Sequence, residues 1–159
     1  MTKEEYLLKI LQIQRNKPKK LQTGAASKYP QGYFKEKECR RCGSSFIPKA
    51  PSEHYCCDFC KDYGVTEAYY KRTYNLTIEK YLDMAERQQF KCAICAKDNF
   101  KMADHHSGVL VVDHDHKTGN VRGLLCHNCN RALGLLQDDV SILSHSIKYL
   151  EGATTIRKE

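Results

Sequence analysis

The stretch VLVVDHDHKTGNVRGLLCHNCNRALGLL, Val109 to Leu136, decides how this chain reads. Val109 to Val112 are four apolar residues after Gly108, three of them β-branched, a pattern that predicts a strand. KTGN, Lys117 to Asn120, has turn chemistry, and VRGLLC, Val121 to Cys126, returns as a second strand. NCNRALGLL then opens a helix, and a further amphipathic helix is predicted from about Val140 to Leu150. Asp113, His114, Asp115 and His116 fall consecutively at the end of the first strand. Cys126 and Cys129 stand where the second strand gives way to the helix.

Those two cysteines belong to a wider pattern. The chain of 159 residues has nine cysteines, and eight form pairs of short spacing: Cys39/Cys42, Cys56 or Cys57/Cys60, Cys92/Cys95 and Cys126/Cys129. No apolar run approaches the roughly 20 residues that span a bilayer, and MTKEEYLLKILQIQRNK at the N-terminus lacks a signal-peptide core. A cytoplasmic, reducing setting is therefore expected, with no membrane partner, and disulfides are then a poor explanation for the cysteines. A two-residue gap lets both sulfurs of a pair reach one ion, so four pairs predict two tetrathiolate zinc sites. Zinc would also supply folding free energy to a chain with no Trp and 41% hydrophobic residues.

Charge is uneven along the chain. Residues 1–61 carry 13 Lys and Arg against 6 Asp and Glu, whereas residues 62–159 carry 13 of each, so the formal net charge of +7 lies in the first part. Lys17, Lys19 and Lys20, in a Lys-, Gly- and Ser-rich linker, would attract a phosphate backbone. Ahead of that linker, Thr2 to about Ile13 reads as a helix opened by a Thr2/Glu5 capping box. The organisation expected is a helix and basic arm over residues 1–37, a zinc module over 38–73, a second unit over 74–152 and a tail over 153–159.

CRRCGSSFIPKAPSEHYCCDFC, Cys39 to Cys60, resembles small treble-clef or ribbon zinc modules of the CxxCGxxF…YCSxxC type. That resemblance assigns Cys39, Cys42, Cys56 and Cys60 to the metal and puts Cys57 at the usual Ser position; plain CxxC spacing would choose Cys57 instead. Within YYKRTYNLTIEKYLDM, Tyr69 to Met84, Thr77 is an N-cap and Ile78, Leu82 and Ala85 share one helical face. This helix leads into Cys92 and reads as a support for the second zinc, Cys92, Cys95, Cys126 and Cys129.

YNLTIEKYLDM, FKCAIC, VVDHDHKTGNVRGLLCHNCNRALGLLQDD and the closing IKYLEG together resemble the HNH, or His-Me finger, nucleases, and most closely the endonuclease VII family of recombination endonucleases, found mostly in bacteriophages. The resemblance covers about Tyr74 to Gly152. It implies a small zinc-stabilised α+β fold with a ββα-metal nuclease unit, and an endonuclease that hydrolyses DNA to 5′-phosphate and 3′-hydroxyl ends. By the family pattern, His114 would be the general base, Asp113 and Asn130 would hold one catalytic Mg²⁺, for which Mn²⁺ would substitute, and His116 would orient the phosphate. Lys117, Arg122 and Arg131 flank that unit and would grip DNA phosphates. The chemistry is consistent. Phosphodiester hydrolysis needs a base near neutrality and a hard cation with oxygen ligands.

One departure stands out: where relatives carry an acidic residue three positions after the Asn, this chain has Leu133, which implies a single ion completed by water. With 29 residues after Asn130, the branch-resolving apparatus of the family's resolvases is expected to be truncated or absent. A phage nicking or homing-type enzyme is the expectation, and a Holliday-junction resolvase the runner-up. A monomer would nick and a homodimer would cut both strands. The rival of another class is a non-catalytic zinc module that binds DNA or protein, for which the joint presence of Asp113, His114 and Asn130 would have no use. His127, inside the last CxxC, reads as exposed.

Overall fold

The computed structural model describes residues 1–16, 29–30, 33–98 and 108–152. Nine elements follow one another in these segments: α1 (Lys3–Asn16), β1 (Lys37–Glu38), β2 (Ser45–Phe46), α2 (Asp58–Tyr74), α3 (Ile78–Arg87), β3 (Val111–His114), β4 (Val121–Leu125), α4 (His127–Leu135) and α5 (Val140–Gly152). The protein is a small α+β chain with two antiparallel two-stranded sheets, β1 with β2 and β3 with β4. None of the described helices is long and apolar enough to cross a membrane.

The helix boundaries have local causes. Thr2 and Glu5 form the reciprocal capping box, Glu5 N donating to Thr2 Oγ1 at 3.2 Å and Thr2 N to Glu5 Oε2 at 2.9 Å. Thr77 caps α3 by accepting from Lys80 N at 3.2 Å. The N-cap expected at Thr77 is where α3 begins; ahead of it α2 runs on to Tyr74 and stops at Asn75, whose left-handed φ of 51° turns the chain.

One apolar core joins α1, α2, α3 and the β3–β4 hairpin. Tyr6, Ile78, Tyr81, Ala85, Leu110 and Leu124 are each at most 1% exposed. Burial of the backbone just ahead of β3 requires partners for its polar groups. Two phenols provide them: Leu110 N donates to Tyr6 Oη at 2.8 Å, and Tyr81 Oη donates to Leu110 O at 2.6 Å. The Gln88 carboxamide does the same for β4, accepting from Leu124 N at 2.9 Å and donating to Leu124 O at 2.7 Å. Lys3 adds ion pairs to Asp83 and Glu86 on α3. Thus α1, read from the sequence together with the basic arm, packs as part of the hairpin's core. By contrast α5 lies at the periphery with Val140, Tyr149 and Leu150 exposed.

Candidate active site and cysteine cages

Two groups of four sulfurs converge. Cys39, Cys42, Cys56 and Cys60 form one, and Cys92, Cys95, Cys126 and Cys129 the other, with all sulfurs of a group within 4.8 Å of one another. Four thiolates at the usual zinc–sulfur distance of about 2.3 Å sit about 3.8 Å apart in a tetrahedron. The Sγ–Sγ separations of 3.5 Å for Cys42–Cys56, 3.7 Å for Cys56–Cys60 and 3.8 Å for Cys95–Cys126 match that figure and are far too long for disulfides. Both cages could therefore hold zinc. The first takes Cys56, while Cys57 leaves the cage and becomes the extended N-cap residue of α2.

Backbone amides favour the thiolate at one cysteine of each cage, while burial pushes Cys60 and Cys126 the other way. Burial alone would push the Cys92 thiol up, but amides of Cys126, Cys95 and Ile94 directed at its sulfur outweigh it and bring it down to about 6. Cys39 falls to about 6 in the same way, burial being opposed by the amides of Cys42, Cys56 and Arg41. Arg41 also lies over the rings of Phe59 and Tyr63, 4.6 and 4.3 Å from their centroids, with Nη1 3.9 Å from Cys60 Sγ. A cation thus stands beside the first cage.

Beyond the second cage lies the far end of the hairpin. Val111 pairs with Leu125, Val112 with Leu124 and Asp113 with Gly123, but His114 pairs with Val121, so Arg122 is an extra residue bulged out of β4. Released from strict alternation, its guanidinium reaches Asp113. Nε donates to Asp113 Oδ2 at 2.7 Å and Nη2 to Oδ1 at 3.0 Å. Asp113 is 8% exposed, and this fork is what allows a carboxylate to sit so deep. The same Nη2 donates to Asp138 Oδ2 at 3.0 Å.

An open cleft of about 370 Å³ is lined by Asp113, His116, His127, Asn130, Arg131 and Asp138, with Gly134 and Leu135. α4 packs on both strands of the hairpin, and this brings Asn130 to the cleft that Asp113 also lines. His114 is on the other side of β3, where its ring meets Tyr74 of α2 at 5.4 Å between centroids. His116 joins the two sides. Its ring is 4.8 Å from that of His114, and its Nε2 is 4.0 Å from Asp138 Oδ2.

β3 ends at His114, so His116 belongs to a turn rather than to a continuing strand. Asp115 builds that turn: its Oδ1 accepts from Lys117 N and Thr118 N, each at 2.8 Å, and Gly119 closes it with a φ of 75°. Lys117 is exposed at the turn's tip. Arg131 borders the cleft, whereas Arg122, predicted as a phosphate contact, is engaged by two carboxylates. Contrary to the exposed position expected for His127, it is half-buried against the cleft. Lys17, Lys19 and Lys20 lie outside the described residues. Sequence reasoning missed Tyr74 and Asp138. Tyr74 sits at the end of an unremarkable helix, and Asp138 looks like one of two acids in a polar turn.

These features define a class, a zinc-ready α+β protein in which a cysteine-clamped hairpin and its following helix carry a carboxylate, imidazole and amide cleft. Residues 67–152 match the family of recombination endonuclease VII, and the chain belongs to that family. Membership makes it a nuclease. It is similar to the Gene 59 protein of Mycobacterium phage D29, 34% identical over 144 residues that cover 80% of this chain and 84% of the relative. The Gene 59 protein of Mycobacterium phage L5 is 33% identical over 127 residues, covering 73% of this chain and 74% of the relative. Since seven residues follow 152, a match over 80% of the chain takes in residues ahead of 67 as well. No solved structure matches.

Proposed function

We propose that the protein is a His-Me finger (HNH-type) DNA endonuclease whose ββα-metal unit is β3, β4 and α4. The observation that carries this reading is the placement of Asp113 and Asn130 on one cleft that His116 also lines, with the His116 ring in contact with that of His114. The donor set fits a hard divalent cation. Asp113 and Asn130 present carboxylate and amide oxygens, as Mg²⁺ prefers, and all the thiols described in cages lie elsewhere. A carboxylate has about four lone-pair sites. The two hydrogen bonds from Arg122 therefore leave Asp113 capacity to bind a cation. When bound, Mg²⁺ would neutralise charge on the scissile phosphate and on the departing 3′ oxygen. Zinc in the two cages would be structural.

His114 accepts the proton of the attacking water on an imidazole nitrogen as the water oxygen bonds to phosphorus and the bond to O3′ breaks. A 5′-phosphate results, and the departing O3′ takes a proton from solvent water to become a 3′-hydroxyl. Tyr74, packed against the His114 ring, restricts its rotation. His116 and Arg131 border the cleft and contact the phosphate, while Lys117 meets the backbone further along. Each chain has one such cleft among the described residues, so a monomer nicks, which suits a nicking or homing-type phage enzyme; a homodimer would cut both strands. The N-terminal zinc module and Lys17, Lys19 and Lys20 add affinity for duplex DNA.

Supercoiled plasmid, linear duplex and four-way junction, each incubated with Mg²⁺, Mn²⁺ or EDTA, test this reading. Nicked plasmid is expected with either metal and none with EDTA. His114→Ala lowers the rate by about 10²–10⁴, with zinc content unchanged. Preference for the junction would favour the resolvase alternative. Intact substrates under every metal, with tight DNA binding, would favour the non-catalytic module.

A further inference from the structure

We propose that Asp138 is a positioning residue of the cleft: through Arg122 it sets the orientation and effective charge of Asp113, and with them the affinity for the divalent cation. The inference rests on the reading of Asp113 as a cation ligand. A guanidinium is a rigid planar fork. With Nε and Nη2 on the two oxygens of Asp113 and Nη2 also on Asp138 Oδ2, fixing one edge of that fork on Asp138 fixes the plane in which Asp113 is held. Arg122 needs such an anchor because it is the bulged residue of β4 and gains no register from the ladder. Charge acts in the same direction. Two carboxylates around one guanidinium leave one net negative charge for a cation, whereas Asp113 and Arg122 alone cancel.

The turn after α4 is built to deliver this carboxylate. Gln137 and Asp138 both take left-handed backbone, with φ of 58° and 54°, and their amides donate to Gly134 O and Leu133 O at 3.0 Å each. Asp tolerates that conformation better than most residues. Its neighbour does a different job: Asp139 Oδ1 accepts from Ser141 N at 2.7 Å and Ile142 N at 3.1 Å, starting α5. Asp138 is thereby left for the cleft, five residues after the Leu133 position where an acid was missed. Its side chain is 19% exposed, which limits screening by solvent.

The test is Mn²⁺ binding to the zinc-loaded full chain, followed by electron paramagnetic resonance and so independent of cleavage. Asp138→Asn and Asp138→Gly are compared, because both accept the left-handed turn and only the carboxylate is lost. Each is expected to raise the Mn²⁺ dissociation constant about tenfold, with zinc content and melting temperature unchanged. In an Arg122→Met background the Asp138→Asn change should shift it less than twofold. A full tenfold effect there would overturn the route through Arg122. If both Asp138 variants bind like wild type while Asp113→Asn loses the site, the role of Asp138 falls and the cation reading stands. If wild type has no Mn²⁺ site that Asp113→Asn removes, both fall.

Discussion

The two cysteine cages have the same ligand type and similar sulfur spacing, but they stand in very different surroundings. Cys92 and Cys126 are part of the apolar core, with Cys95 and Cys129 packed against it, whereas none of the four sulfurs of the first cage belongs to that cluster. The first cage is supported by strands of two residues each, and Cys42 is exposed. A metal ligand set therefore does not have one structural meaning. In the second cage the sulfurs hold together the hairpin that carries Asp113 and His114; in the first they hold a local module whose link to the site is α2, which carries both Cys60 and Tyr74.

The strongest way to break this contrast is to remove one ligand from each cage. Zinc in such a site contributes about 10–16 kcal/mol, as much as the whole stability of a typical domain, about 5–15 kcal/mol. Cys126→Ser is expected to reduce zinc from about two to about one per chain, abolish cooperative melting and eliminate cleavage. Cys42→Ser should lose the same amount of zinc yet keep a cooperative core, with cleavage within about tenfold of wild type. Equal damage from both would erase the distinction. Elemental analysis, calorimetry and the plasmid assay measure it.

Tyr74 tests how far the first module reaches into the site. Removing its ring should free His114 to rotate, so Tyr74→Ala is expected to lower kcat about ten- to a hundredfold, while Tyr74→Phe, which keeps the ring, stays near wild type. An unchanged kcat in Tyr74→Ala would reduce α2 to a connector. Graded chelation sharpens the comparison by rate. The first cage, with Cys42 exposed and no sulfur in the apolar core, should release its zinc well before the second, giving two phases in a colorimetric zinc assay; a single phase for both metals would contradict the difference in surroundings.

The smallest effect concerns α1. Tyr81→Phe leaves the buried Leu110 carbonyl without its donor and should cost about 1–3 kcal/mol in denaturant unfolding, with Tyr6→Phe similar. No loss with Tyr6→Phe would detach α1 from the hairpin's core, and no loss with Tyr81→Phe would remove the tie from α3.

Much of this was legible in the sequence because it depends on short-range chemistry. The β3–β4 turn, the Thr2/Glu5 and Thr77 caps and the face of Ile78, Leu82 and Ala85 are fixed within a few residues, where spacing and propensity suffice. The cage pairs were legible for the same reason, although choosing Cys56 over Cys57 needed the direction of α2's first turn. The Arg122 clamp was not legible. Sequence alternation assumes a regular ladder, and one bulge between Asp113 and His114 redirected a residue that read as a DNA contact. His127 misled because a residue inside CxxC looks exposed until a helix folds its side against a cleft.

By itself, then, the sequence determined the strand, turn, strand, helix order, the eight paired sulfurs and the candidacy of Asp113, His114 and Asn130, since each follows from residue type at close spacing. Only the tertiary structure decided that Tyr6 and Tyr81 satisfy the Leu110 backbone, that Tyr74 packs on His114 and that Asp138 shares Arg122 with Asp113. The physical reason is distance along the chain. These partners are separated by between 9 and 104 residues, and nothing local specifies a hydrogen bond or ring contact until packing brings its two ends together.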